Sequence, residues 1–206
     1  DLGLSDDGYV LPPLTETDHV IEAATPPPGM LFNLPAFGGH EERQERKRTL
    51  KERTDFVASL ANHDRPAIIW CHTNDEGETL AKKIAGAVEV SGKMSDEQKE
   101  AAYLGFCDGS HRALIIKPKI GAHGLNFQHC AHVVTFASHS YEQYYQGVRR
   151  CWRFGQKNPV QLDVVATEGE IRVIQNMRAK ARRADLMFKN LVAEMNNATK
   201  VERKDN

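Results

Sequence analysis

"RALIIKPKIGAHGLNFQHCAHVVTFA", Arg112 to Ala137, holds two apolar runs, Arg112–Lys117 and His132–Ala137, around an irregular loop that contains glycines. Neither run alternates apolar with polar residues, as a strand with one wet face does, so both read as strands buried on two sides. Further short strand-like runs recur at Ala67–Cys71 (AIIWC), Ala87–Ser91 (AVEVS) and Val160–Val165 (VQLDVV). Between them lie helical stretches. DEGETLAKKIAG follows the first run, and SDEQKEAAYLGF opens at Ser95 with Gln98 at capping-box spacing. A final long helix sets Ile171, Ile174, Ala181, Ala184, Phe188 and Leu191 at helical intervals. Apolar strands alternating with helices predict an α/β fold with a parallel sheet covered by helices on both faces.

The ends read differently. Residues 1–40, with "DLGLSDDGYVLPPL" and "TPPPGMLFNLPAFGG", are rich in Pro, Gly and Asp and keep no period of 2 or 3.6. They are expected to be an extended or loop lead-in. Residues 41–62 predict a helix with Leu50, Thr54, Val57 and Leu60 or Ala61 inward. Its six Lys/Arg between Arg43 and Arg53, interleaved with glutamates, read as a solvated face. Residues 63–168 are expected to form the main lobe, and 169–206 a C-terminal helix and tail.

Composition excludes several classes. The 27 Lys/Arg and 28 Asp/Glu leave a net charge of -1, which favours neither an acidic nor a basic partner. No apolar run nears the roughly 18 residues of a membrane span. The four cysteines stand singly, so a reducing, cytoplasmic setting is expected rather than a disulfide framework or a standard zinc site. The cluster His129, Cys130 and His132 lacks a second ligand pair and reads as loop and strand-entry residues.

In parallel sheets, sites gather at the carboxyl ends of the strands. That rule brings together the loops His72–Asp75, Lys117–Gln128, Ser138–Ser140 and the turn after Val165. Next to them lies "QGVRRCWRFGQ", Gln146 to Gln156. On a helical wheel, Tyr141, Tyr145, Val148 and Trp152 form a buried stripe, while Gln146, Arg150 and Arg153 project elsewhere together. Arg150 has Gln146 four residues earlier and Arg153 has Arg149, so local ion pairs do not explain them. Paired guanidiniums suit a phosphate, whose oxygens their planar donors match.

These residues carry a resemblance. "QGVRRCWRFGQ" resembles motif VI of superfamily 2 helicases in the form found in Swi/Snf-type DNA translocases. "KPKIGAHGLNFQHC", with Gly124, Leu125 and Asn126, resembles motif V, and "AIIWCHTNDEGETLAKKI" motif IV. The order and spacing match over about Pro66 to Arg182, with a likeness to bacteriophage and prophage helicases. The resemblance implies the second RecA-like lobe of a two-lobed motor that works on ATP. Arg150 and Arg153 would be arginine fingers, Gln146 an ATP-sensing residue, and Gly124 and Asn126 cofactor contacts. Mg2+ would be held by a P-loop lobe, the implied partner. Thr73, Lys117 and Lys119 would hold the backbone of DNA, double-stranded and read without sequence preference. The implied setting is the cytoplasm of a bacterium or a phage-infected host.

The sequence also departs from the pattern. No G-x-x-x-x-G-K-[ST] occurs; "GAVEVSGKM" has Gly86 one residue too early and Met94 where a hydroxyl would hold Mg2+. "DEGE", Asp75–Glu78, reads as negative charge at a helix start rather than an acidic metal motif. Lys117, Pro118 and Lys119 replace Ser-Thr in motif V, and Arg149 stands where many relatives are acidic. The 206 residues alone are therefore expected not to turn over ATP. A stand-alone nucleic-acid-binding or regulatory module with the same fold is the alternative.

Overall fold

The computed structural model describes residues 10–24, 26, 29, 35–36, 38–121 and 125–202. Its strands are β1 (Leu14–Ile21), β2 (Ala67–Trp70), β3 (Ala87–Val90), β4 (Ala113–Ile116), β5 (His132–Phe136) and β6 (Val160–Thr167). They form one sheet in the order β1-β6-β5-β2-β4-β3, with every pairing parallel. The helices are α1 (Gly39–Arg48), α2 (Leu50–Leu60), α3 (Asn74–Lys83), α4 (Asp96–Cys107), α5 (Pro118–Gly121), α6 (Tyr141–Val148) and α7 (Ile171–Glu202).

The continuous apolar runs follow from two cores, one on each face of the sheet. Ile68, Leu114, Val133 and Leu162 point to the side covered by Phe106 of α4, Val148 of α6, and Ile174 and Met177 of α7. Their chain neighbours Ile69, Ile115 and Val134 point the other way, against Val57 of α2, Leu80 of α3 and Ile84 just after α3. Successive side chains leave a strand on opposite faces, so a strand with two dry faces is apolar at every position. The capping box at Ser95 forms as expected, with Gln98 N donating to Ser95 Oγ and Ser95 N to Gln98 Oε1. Among the described residues no helix is long and apolar enough to cross a membrane.

Two expectations need correction. The lead-in is extended, but residues 14–21 are not loop: β1 pairs with β6 from Leu14 opposite Val160 to Ile21 opposite Thr167. An edge strand is wet on much of both faces, so "LTETDHVI" carries no apolar period to read. Its anchors are distant in sequence. Trp152 Nε1 donates to Pro12 O at 2.7 Å, Arg178 pairs with Glu16 and Asp18, and His19 meets buried Asp163 at 2.8 Å. The basic run 41–62 is likewise two helices broken at Thr49, and only part of it is solvated. Arg43, Lys47 and Lys51 are exposed, whereas Arg53 is 1% exposed.

Candidate functional site

The parallel sheet puts all its carboxyl ends on one edge, and that edge has two unlike halves. Over β5 and β6 it is covered by α1. Arg46 Nε donates to Glu170 Oε1 at 2.7 Å and its terminal nitrogen to Ala137 O at 3.0 Å. Thr167 Oγ1 donates to Glu45 Oε1 at 2.8 Å. The fit is close enough that a Cβ on Gly169 would lie 2.6 Å from the Glu45 carboxyl carbon. Beside this plug, Arg53 donates to Glu76 Oε1 at 2.6 Å, to Arg46 O at 2.6 Å and to Thr49 Oγ1 at 3.2 Å.

Glu76 holds the start of α3. Its second oxygen accepts from His72 N at 2.8 Å and Thr73 N at 3.0 Å, completing a capping box with Thr73. Burial works to raise its pKa, but the charge and hydrogen bond of Arg53 and the His72 amide outweigh it and hold the carboxyl below its ordinary value. Burial lowers the pKa of His72, and its Nε2–H donates to Phe136 O at 3.1 Å. "DEGE" is thus a helix start, as expected, with one member in a buried ion pair. The sequence reading missed that pair. Its signals were Thr73-x-x-Glu76 and the position of Arg53 four residues before buried Val57.

Among the described residues no helix covers the other half, over β2 and β4. It lies next to the switch point, where the chain turns from building β2, β3 and β4 in one direction to place β5 on the far side of β2. Two shallow clefts lie there, the roomier with about 10 Å³ of space for a water-sized occupant and the other with essentially none. Trp70, Pro118 and Gln143 line both; Gln146, Gly147 and Arg150 line the smaller. Both fall short of the roughly 300 to 1,000 Å³ of a pocket that encloses a small-molecule ligand. This edge offers one wall of a site. Trp70 is buried, and among the described residues its indole N–H has no hydrogen-bond partner.

The helix bearing the arginines is shorter than the wheel assumed. α6 is capped by Ser140, whose Oγ accepts from Gln143 N at 3.2 Å, and it ends at Val148. Arg150 to Arg153 continue in tight turns, so the wheel does not place Arg153. The buried face is Tyr144, Gly147, Val148 and Cys151; Tyr145 is 41% exposed, and Trp152 is half-buried. Gly147 explains the rotation. A Cβ there would lie 3.1 Å from Nε1 and Cε2 of Trp70, so only glycine lets α6 seat this closely on the indole.

Arg153 is near enough for its charge to act on Arg150. Burial first, and then the charge of Arg153, lower the pKa of Arg150, as expected for two guanidiniums held near one another. Arg150 is tied to the loop after β4: its terminal nitrogen donates to Leu125 O at 3.2 Å and its carbonyl accepts from Phe127 N at 2.9 Å. Exposed Asn126 sits between those two contacts; Gly124 lies outside the described residues. Gln146 is half-buried and donates to Glu142 Oε1 at 3.1 Å.

Thr73, Lys117 and Lys119 share this edge. The Lys117 ammonium bonds Asn74 Oδ1, joining the loops after β2 and β4, and Lys119 is exposed. Thr73 Oγ1 accepts from Glu76 N at 3.2 Å, which leaves its O–H to donate outward. Among the described residues no cluster of three or more His, Cys, Asp or Glu is arranged to hold a metal.

Comparison with known proteins gives one family. Residues 45–155 match the helicase conserved C-terminal domain. No curated protein matches in sequence. Among solved structures, the chain is similar to the C-terminal part of the Fun30 ATPase domain, at TM-score 0.53 and 16% identity over 60% of this chain. It is also similar to the E. coli DEAD-box protein SrmB bound to RraA, at TM-score 0.54 and 14% identity over 62% of this chain and 78% of that one. A DEAD box protein from Methanococcus jannaschii gives TM-score 0.55 at 17% identity over 64% of this chain and 37% of that one. The chain spans 44% of the Fun30 chain. At these identities the likeness is one of fold.

Proposed function

The chain belongs to the helicase conserved C-terminal domain family, and from that premise we propose that it is the second RecA-like lobe of an ATP-driven, Swi/Snf-like DNA translocase of phage type. One observation carries the reading. Two neighbouring guanidiniums, Arg150 and Arg153, stand at an open carboxyl edge whose clefts are too small to enclose a nucleotide. Such an edge is suited to close over phosphates held mainly by another surface, the P-loop lobe of the same motor.

In this reading Arg150 and Arg153 neutralise charge that develops on the transferring phosphoryl group, an effect of roughly 10³ to 10⁵ in rate where arginine fingers act. Gln146 lines the cleft beside them and orients polar groups there. Leu125 and Phe127, through their backbone, hold Arg150 in place, and Asn126 between them is a candidate nucleotide contact, as is Gly124 by the motif's pattern. Mg2+, which the partner lobe would hold, would supply positive charge to the phosphates. Thr73, Lys117 and Lys119 lie on the same edge and contact the sugar-phosphate backbone of duplex DNA. Contacts of that kind grip every sequence alike.

The test is DNA-stimulated ATP turnover by the chain alone and by the chain joined to a P-loop lobe. The chain alone should be inactive and the joined protein active. Robust turnover by the 206 residues alone, lost on Arg150→Ala, would overturn the half-motor reading. Strong preference for one duplex sequence without turnover in the joined protein would favour a stand-alone binding module.

A further inference from the structure

The segment that carries Arg150 and Arg153 lies beyond the end of α6 at Val148, so no helical ladder sets its shape. Its carbonyls need partners of their own. The loop after β4 supplies two of them. Phe127 N donates to Arg150 O at 2.9 Å, and the Gln128 side-chain amide donates to Phe154 O. Gly155, at φ 89°, makes room for that amide: a Cβ there would lie 2.7 Å from its nitrogen.

Gln156 ties the same two segments from inside. Its side chain is buried, and Nε2 donates to Cys130 O at 2.9 Å and, more weakly, to Cys151 O at 3.4 Å. Oε1 accepts from Asn158 N at 2.9 Å, and the main-chain N–H donates to Arg153 O at 3.1 Å. One residue therefore bonds the end of the loop after β4, the chain neighbour of Arg150, and Arg153 itself. An apolar side chain could fill the same volume, but only a primary amide donates to two carbonyls while it accepts from an N–H.

We propose that Gln156 is a positioning residue, whose amide locks the arginine-bearing turn to the loop after β4 and so fixes where Arg150 and Arg153 stand. Its consequence for turnover rests on the reading of those arginines as fingers. Arg150 reaches back to Leu125 O at 3.2 Å, so any slip of the turn against the loop moves its guanidinium directly. The charge of Arg153 acts on Arg150, and that repulsion tends to spread the turn unless it is tied. A misplacement of about 1 Å can cost roughly 10² in rate.

Gln156→Met keeps the volume and removes the side-chain hydrogen bonds. In the 206-residue chain the Phe127 amide should exchange with solvent at least about tenfold faster, while amides at the centre of β5 keep their rates. In the chain joined to a P-loop lobe, kcat should fall at least about tenfold and KM for ATP should move less than about threefold, because a finger acts in the transition state. In an Arg150→Ala, Arg153→Ala background the same change should cost less than about twofold, since the groups it positions are gone. Gln128→Ala, at a half-buried position, should move exchange and kcat in the same direction by less. Equal losses of kcat in both backgrounds overturn the positioning role and leave Gln156 a packing residue. Full turnover in Gln156→Met, where Arg150→Ala loses it, overturns the role as well. Unchanged turnover in both single arginine variants overturns the finger reading, and this role with it, even where Phe127 exchanges faster.

Discussion

The two halves of the carboxyl edge use the same residue types to opposite ends. Over β5 and β6, Arg46 and Arg53 are matched to Glu170 and Glu76 at 2.7 and 2.6 Å and are part of the structure. Over β2 and β4, burial and then the charge of Arg153 lower the pKa of Arg150, whose guanidinium donates to the Leu125 carbonyl. A cation closed against a buried carboxylate is neutralised in place; two like charges near one another raise the local positive potential. Spacing in sequence does not separate these cases, since both sets lie in arginine-rich runs.

The contrast can be broken first on its structural side. Arg53→Ala strands the Glu76 carboxylate in a dry site, so the folded state should lose about 3 to 5 kcal/mol in urea unfolding. A loss below about 1 kcal/mol would show that the pair is dispensable. On the open side, Arg150→Ala in the joined two-lobed protein should lower kcat by roughly 10² or more while the unfolding midpoint moves little. Unchanged turnover would return Arg150 to an ordinary surface role. Gly147→Ala probes the seat of the arginine helix. Its Cβ meets the Trp70 indole at 3.1 Å, and the expected destabilisation is about 1 to 3 kcal/mol, read with a shift in tryptophan fluorescence.

Acid should sharpen the comparison further. The pKa of Glu76 is held below its ordinary value of 4.5, so the unfolded chain binds its proton more readily than the folded one. The stabilisation is complete above pH 4.5 and is lost as pH falls through the folded pKa. In Arg53→Ala the largest influence opposing burial is lost and that pKa rises, so the variant's deficit should shrink on acidification. A deficit independent of pH between 4 and 7 would exclude Glu76 as its source. The smallest expected effect is on DNA. Lys117→Ala with Lys119→Ala should flatten the salt dependence of binding by roughly 0.9 for each phosphate that is no longer neutralised. An unaltered slope would remove both lysines from the interface.

Much of this protein could be read locally. Ile68 and Ile69, or Leu114 and Ile115, face opposite cores, and that alone makes the strands visible as apolar runs between helices. The Ser95 cap and the helical start at "DEGE" were equally legible, because a cap is settled within four residues. Resemblance of the ordered motifs led to the helicase family, and Arg150 and Arg153 stood out because no acidic partner lay one turn away.

Other features came only from the assembled chain. β1 is a strand because β6, 146 positions further on in register, supplies its backbone partners, and an edge strand needs no apolar pattern of its own. The wheel carried the α6 pattern through Arg153, but the helix stops at Val148, where the fit of Gly147 against Trp70 sets its rotation. Tyr145 is consequently exposed, and Trp152 is half-buried, with its indole N–H on the distant Pro12 carbonyl. The plug of α1 and the Arg53–Glu76 pair join residues 23 to 124 positions apart. The sequence by itself determined which segments are strands, helices and motifs, since burial on two faces and local capping leave their mark in consecutive residues. The tertiary structure alone decided which charges are paired and which half of the edge stays open, because long-range electrostatic contacts and edge pairing have no period along the chain.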